Sequence, residues 1–168
     1  MKDRLSGQPV RPYVLGLVIQ TYLVTRTSEK PMLKGSCLCG AVNYEYLGLI
    51  NDVVICHCDQ CKCAQGTPFV TNAPLSLDKF AFTKGSEVLK EFLSSPNKRR
   101  VFCGNCGSPF YSQRLDLPET IRLRLGTVTE GHIPQPSYEI YCDSKADWFE
   151  AQRDAPNNKI PSYIENKV

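Results

Sequence analysis

The stretch VICHCDQCKCAQG, Val54 to Gly66, holds four of the chain's nine cysteines and one of its two histidines. Seven cysteines fall into three tight groups: Cys37 with Cys39, Cys56 with Cys58 and Cys61, and Cys103 with Cys106. A disulfide framework spreads paired cysteines over distant loops. An odd total, clustered at CxC and CxxC spacing, points to metal-binding thiolates. Thiolates held by metal need surroundings that do not oxidise them first, so a cytoplasmic protein is expected. Zinc bound by thiolates is tetrahedral; structural sites are closed by four protein ligands, and catalytic sites keep three and leave one position for water or substrate. The seven cysteines divide as four plus three.

CLCG (Cys37 to Gly40) and CGNCG (Cys103 to Gly107) both end on glycine. A knuckle that wraps backbone amides around a metal-bound sulfur turns tightly, and glycine reaches the positive φ that such a turn demands. Cys37, Cys39, Cys103 and Cys106 are therefore expected to close one structural zinc site, linking metal binding to folding. In CHCDQC, a strand end presents Cys56 and Cys58, and a turn from Asp59 returns Cys61 to the same point. These three are expected to hold a second, catalytic zinc whose fourth position is open. His57 is the alternative fourth ligand, although the flanking strand points it away. Cys63 and Cys142 read as ordinary thiols, with a second nucleophile or an oxidation point as the alternative for Cys63.

The elements that position these groups are short. AVNYEYL, DVVIC, PFVTNA, KFAFT, VLKEFL, RRVFC, PFYSQ and TIRLRL, between Ala41 and Leu125, read as eight strands separated by Gly, Pro, Asn and Asp. The expected fold is mainly β, with short antiparallel strands and one or two short helices, at Asp59 to Gln65 and near Lys145 to Gln152. Residues 32–152 read as the zinc-binding domain, 1–31 as an N-terminal extension and 153–168 as a tail. The apolar run Tyr13 to Val24 falls short of the about 20 residues that cross a membrane, and no signal-cleavage pattern follows it. It reads as an added segment packed on the domain or as residues ahead of a start at Met32, with a transit or membrane-surface peptide as the alternative, against which Asp3 counts. A net charge of +3 is too small to argue for nucleic acid. Neither nucleic acid nor membrane is expected as a partner.

GSCLCGAVNYEY, CHCDQCKCAQG and FCGNCGSPFY, in this order, resemble the glutathione-dependent formaldehyde-activating enzyme family, which shares its domain with centromere protein V. The resemblance runs from about Leu33 to Glu150 and includes SKADWFE. It implies a β-tent fold around two zinc ions per chain, with Cys37, Cys39, Cys103 and Cys106 as structural ligands and Cys56, Cys58 and Cys61 as catalytic ones. It further implies a carbon–sulfur lyase, joining formaldehyde and glutathione as S-hydroxymethylglutathione, with a small thiol and an aldehyde as partners. Cys63 and Cys142 depart from the family pattern. Arg100 or Arg99 is a candidate clamp for a glutathione carboxylate, against a plain reading as solvated edge-strand charges. Phe69 and Phe110 are either pocket walls or core. The rival functions are a binding module whose zincs only hold the fold, and a thiol redox enzyme.

Overall fold

Short runs that alternate between covered and half-covered positions set the architecture. The computed structural model describes residues 32–149. Four strands, β1 (Leu33–Ser36), β2 (Asn43–Tyr46), β5 (Phe80–Lys84) and β10 (Val128–Gly131), form a smaller sheet. Seven form a larger one: β3 (Val54–Cys56), β4 (Val70–Ser76), β6 (Leu89–Ser95), β7 (Lys98–Cys103), β8 (Pro109–Arg114), β9 (Thr120–Arg124) and β11 (Tyr138–Ile140). The orders are β10-β1-β2-β5 and β11-β3-β4-β9-β8-β7-β6. All pairings are antiparallel except β11 on β3, which is parallel. A single α-helix among the described residues, α1 (Asp59–Gln65), follows β3 and ends at Gly66, whose N–H bonds Lys62 O at 2.8 Å.

The core lies between the sheets. Ala73 and Leu75 on β4 pair with Leu123 and Ile121 on β9, and Tyr111 on β8 lies between Leu123 and Val101 of β7. These side chains are buried together with Leu33, Tyr44, Tyr46 and Phe80 of the smaller sheet. A bulge between β7 and β8 leaves Phe110 outside the register, and its ring, 0% exposed, packs edge-on against Tyr44 and Phe82. Each large apolar side chain so buried contributes roughly 1.5–3 kcal/mol. Because successive strand residues face opposite ways, the other face of the larger sheet is polar. Arg100, Ser112 and Arg122 share one cross-strand row there, with Asn72 and Arg124 in the next.

The eight expected strands are present, with ends matching or shifted by up to three residues. Three more, β1, β10 and β11, join them because each finds an edge to pair with. The helix expected near Lys145 is absent from its described part: Cys142–Ser144 makes one 3₁₀ turn, and Lys145 is extended, at ψ 144°. The Lys145 ammonium pairs instead with Glu139 at 2.6 Å. Residues 1–31 and 150–168, with the apolar run Tyr13 to Val24, lie outside the described residues. No described helix is long and apolar enough to cross a membrane.

Tyr44 makes the buried interior testable through pH. Burial, only partly offset by a hydrogen bond with Thr127 Oγ1 at 3.0 Å, pushes its phenol up to about 12. The unfolded chain sheds that proton near pH 10 and the folded chain keeps it, so stability present below pH 10 is lost as pH rises from about 10 to about 12. The loss attached to this residue is roughly 2–3 kcal/mol. Urea midpoints followed from pH 9 to pH 12 are expected to fall less steeply in Tyr44→Phe than in the parent chain. Equal slopes would contradict a buried neutral phenol at this position.

Candidate functional site

Cys37 follows β1 in the smaller sheet, and Cys103 ends β7 in the larger one. Two tight turns bring in the other two sulfurs: Gly40 N–H bonds Cys37 O at 3.0 Å, and Gly107 N–H bonds Cys103 O at 2.9 Å. Gly40 and Gly107 stand at φ 69° and 77°, the left-handed region for which both knuckles require glycine. The Sγ atoms of Cys37, Cys39, Cys103 and Cys106 all lie within 4.8 Å of one another. Cys37 to Cys39 is 3.5 Å and Cys39 to Cys103 is 3.9 Å. A tetrahedral ion with sulfur bonds of about 2.3 Å sets its donors about 3.8 Å apart, so the four thiols fit a closed metal centre.

Backbone and hydroxyl groups already favour negative charge on these sulfurs. Val42 N–H donates to Cys37 Sγ at 3.3 Å. Ser108 Oγ lies 3.3 Å from Cys106 Sγ and accepts from Leu38 N–H at 3.0 Å, so one hydroxyl ties the second knuckle to the first. Its hydrogen bond, with the Ser108 N–H, holds the Cys106 thiol down at about 5. At Cys39 the Ala41 N–H works downward, but the sulfurs of Cys37 and Cys106 outweigh it and push the thiol up to about 11. Four thiols this close cannot share their protons evenly.

The second group lies on the polar face of the larger sheet. Cys56 ends β3, Cys58 caps the start of α1 in an extended conformation, and Cys61 sits in the first turn with its N–H on Cys58 O at 3.0 Å. Their three sulfurs lie within 4.8 Å of one another, and Cys56 to Cys58 is 3.5 Å. Among the described residues no fourth His, Cys, Asp or Glu atom joins them. His57 does not close the set: its Nε2 bonds Glu139 Oε2 at 3.0 Å. Lys145, and then His57, hold the Glu139 carboxyl below its usual range, fastening β11 beside the cluster. The three thiols therefore suit a metal ion with one coordination position left free.

The electrostatics of this cluster come from side chains that sequence spacing did not single out. Burial pushes the Cys56 thiol up to about 12. Burial also opposes the Cys61 thiolate, but Arg124, the neighbouring sulfurs and Arg100 outweigh it and bring this thiol below its ordinary value. Arg124, 3% exposed, donates from Nη2 to Ser112 Oγ at 3.2 Å. Lys98 is half-buried, and burial lowers its pKa against the pull of the Cys61 charge. A groove of about 590 Å³ opens over Arg124, bounded by Gln65, Phe69, Ser108, Pro109 and Phe149. It runs from the end of α1 to the knuckle turn of the four-cysteine group.

The two aromatic candidates separate: Phe69 walls the groove, and Phe110 belongs to the core. The two arginines separate as well. Arg99 bonds Gln113 at 2.6 Å and Glu91 at 3.2 Å on the core side of β7, whereas Arg100 faces the three-cysteine side. Cys63 and Cys142 are exposed and belong to neither cluster. Ser108, Lys98 and Arg124 are the functional candidates that the sequence reading missed. The alternation of KRRVFC and TIRLRL carried a signal for the two cations, since a basic residue at every second position of a strand marks a polar face.

The model of the family described as glutathione-dependent formaldehyde-activating enzyme matches residues 32–144. An uncharacterized lyase of Schizosaccharomyces pombe is 28% identical over 81 residues, covering 48% of this chain and 57% of that protein. The chain thus spans little more than half the length of that relative. The crystal structure of a Rhodobacter sphaeroides protein, a structural genomics target, is similar at a TM-score of 0.51 and 26% identity, covering 63% of this chain and 98% of that one.

Ser108 offers a test of the closed centre. Ser108→Ala removes the hydroxyl that keeps Cys106 ionised, so its thiol pKa rises and metal is released at a higher pH. Competition with a chromogenic chelator between pH 5 and pH 8 is expected to show affinity falling about tenfold for one of two metal equivalents. A release curve that matches the parent's would deny the hydroxyl this role.

Proposed function

Because the chain belongs to the glutathione-dependent formaldehyde-activating enzyme family, we propose that it is a zinc-dependent carbon–sulfur lyase-type enzyme acting on a glutathione–aldehyde adduct. The reaction proposed is S-hydroxymethylglutathione formation from glutathione and formaldehyde, or the same step on a related thiol adduct. The observation that carries the reading is a cluster of three thiols, Cys56, Cys58 and Cys61, without a fourth ligand group among the described residues and beside the buried Arg124.

In the forward direction the thiol sulfur bonds to the aldehyde carbon, the carbonyl π pair moves to oxygen, and the proton lost by the thiol is balanced by the one gained at the new hydroxyl. Zinc held by three thiolates supplies a positive charge that keeps a thiol sulfur anionic at neutral pH, while the donating sulfurs make it a weak activator of water. Cys56, Cys58 and Cys61 would hold the ion. Arg124 and Arg100 favour negative charge at Cys61. Phe69 and Phe149, with ring centres 5.8 Å apart, give the groove over Arg124 an apolar wall. Arg100 is the proposed contact for a glutathione carboxylate. Cys37, Cys39, Cys103 and Cys106 hold the second zinc and keep the two sheets together. Seven unoxidised thiols at metal positions suit a reducing compartment, and the cytoplasm is the proposed location.

Cys58→Ser separates an enzyme from a zinc-stapled scaffold. The variant is expected to lose one of two zinc equivalents, by elemental analysis, and at least 100-fold in adduct formation followed by NMR with formaldehyde and glutathione, on the order of a lost catalytic metal ligand. Its circular dichroism is expected to stay that of the parent. Full glutathione-dependent activity in this variant would contradict the reading.

A further inference from the structure

Cys56, Cys58 and Cys61 ride on elements too short to hold their own shape. β3 has three residues and α1 seven, and no side-chain hydrogen bond caps the start of that helix. A helix of this length is marginal by itself. Both ends of the loop are fastened by one distant segment, Ser137 to Lys145. Ahead of Cys56, Ser137 N–H donates to Val53 O at 2.8 Å, and Val53 N–H donates to Ser137 Oγ at 3.2 Å. Between Cys56 and Cys58, His57 N–H donates to Ile140 O at 3.1 Å, and its ring bonds Glu139, which Lys145 holds from the other side at 2.6 Å. Past Cys61, the mostly covered Lys62 donates from Nζ to Ser144 O and pairs with Asp59 at 3.0 Å.

The segment itself is bent for these contacts. Tyr141 stands at φ 59° and ψ 44°, the one described non-glycine residue in the left-handed region. A side chain stays there only where the surrounding contacts outweigh the strain. Here Ser144 N–H closes the turn on Tyr141 O at 3.0 Å, and the Ser144 carbonyl meets Lys62. We propose that Lys62 and Glu139 are positioning residues for the three-thiol site, splinting its loop to the Ser137–Lys145 segment so that the three sulfurs are presented together to a metal ion. This rests on the metal reading of those thiols and is independent of the adduct chemistry. Donors already held in place bind at a smaller ordering cost, and outer partners of this kind carry about 10–100-fold of metal affinity. The four-thiol centre uses none of these contacts, since Val42, Ser108 and two glycine turns support it. It serves as the internal control.

Competition of the zinc-loaded protein with a chromogenic chelator tests the splint without any turnover. In Lys62→Met and in Glu139→Ala, the zinc equivalent that Cys58→Ser lacks is expected to lose about tenfold in affinity, and the other to match the parent. Lys62→Arg keeps a donor for Ser144 O, and Glu139→Gln keeps an acceptor for His57, so each should recover most of its loss. Parent affinity at both equivalents in Lys62→Met and Glu139→Ala overturns the proposal. Equal losses at both equivalents overturn it too, because they mark a general loosening of the fold, as do conservative variants no tighter than the truncated ones. A parent that binds a single zinc removes the three-thiol metal site and the splint with it. Selective loss in a protein that forms no adduct leaves the splint standing and removes the lyase.

Discussion

Four sulfurs carried by two different sheets meet within 4.8 Å, and most of the architecture depends on that meeting. Cys37 leaves the four-stranded sheet and Cys103 ends a strand of the seven-stranded one, so a metal ion on this set would tie the two sheets together. Structural zinc sites in small domains are worth about 10–16 kcal/mol of binding, against a net stability of about 5–15 kcal/mol for a whole domain. On these magnitudes a metal ion bound here would contribute as much as everything else that survives the entropy of folding. The core between the sheets then has to specify the packing more than supply the entire stability. The shared Ser108 hydroxyl and the two left-handed glycines keep the four sulfurs in place for that task.

A fold secured by one closed centre can leave another incomplete. The three-cysteine group sits on the opposite, polar face of the larger sheet, where a strand end and the first helical turn converge. Two influences oppose each other there: burial of the thiols opposes ionisation, and the buried Arg124 with the half-buried Arg100 favours it. At Cys61 the cations win. His57, the residue in this stretch most able to add a ligand, is taken up by Glu139 and the β11 edge. The result is three soft donors beside the buried Arg124, whose guanidinium also lines the groove walled by Phe69 and Phe149.

Much of this was legible in the sequence because cysteine spacing is a local signal. CxC where a strand ends and CxxC in a turn sort the seven cysteines into the two groups that the fold assembles. Helix α1 runs over the residues expected of it, since Cys58 and Asp59 start a turn and Gly66 ends it. What escaped notice depends on partners distant in sequence. LKGS, VTEG and YEI are too short and too weakly patterned to be read as strands, and become strands because an edge accepts them. Phe69 and Phe110 look alike in sequence, and only a bulge and a groove tell them apart. Lys98, Arg124 and Ser108 matter through cross-strand register and through a turn that closes over another turn, neither of which a single run of residues displays.

The most direct measurement is X-ray absorption at the zinc edge on the reduced, purified protein, with metal content determined on the same sample. The account predicts two zinc ions per chain, one with four sulfur neighbours and one with three sulfurs and a lighter atom, the lighter atom giving way to sulfur when glutathione is added. A single zinc per chain, or two ions that both keep complete protein shells and ignore glutathione, would contradict it.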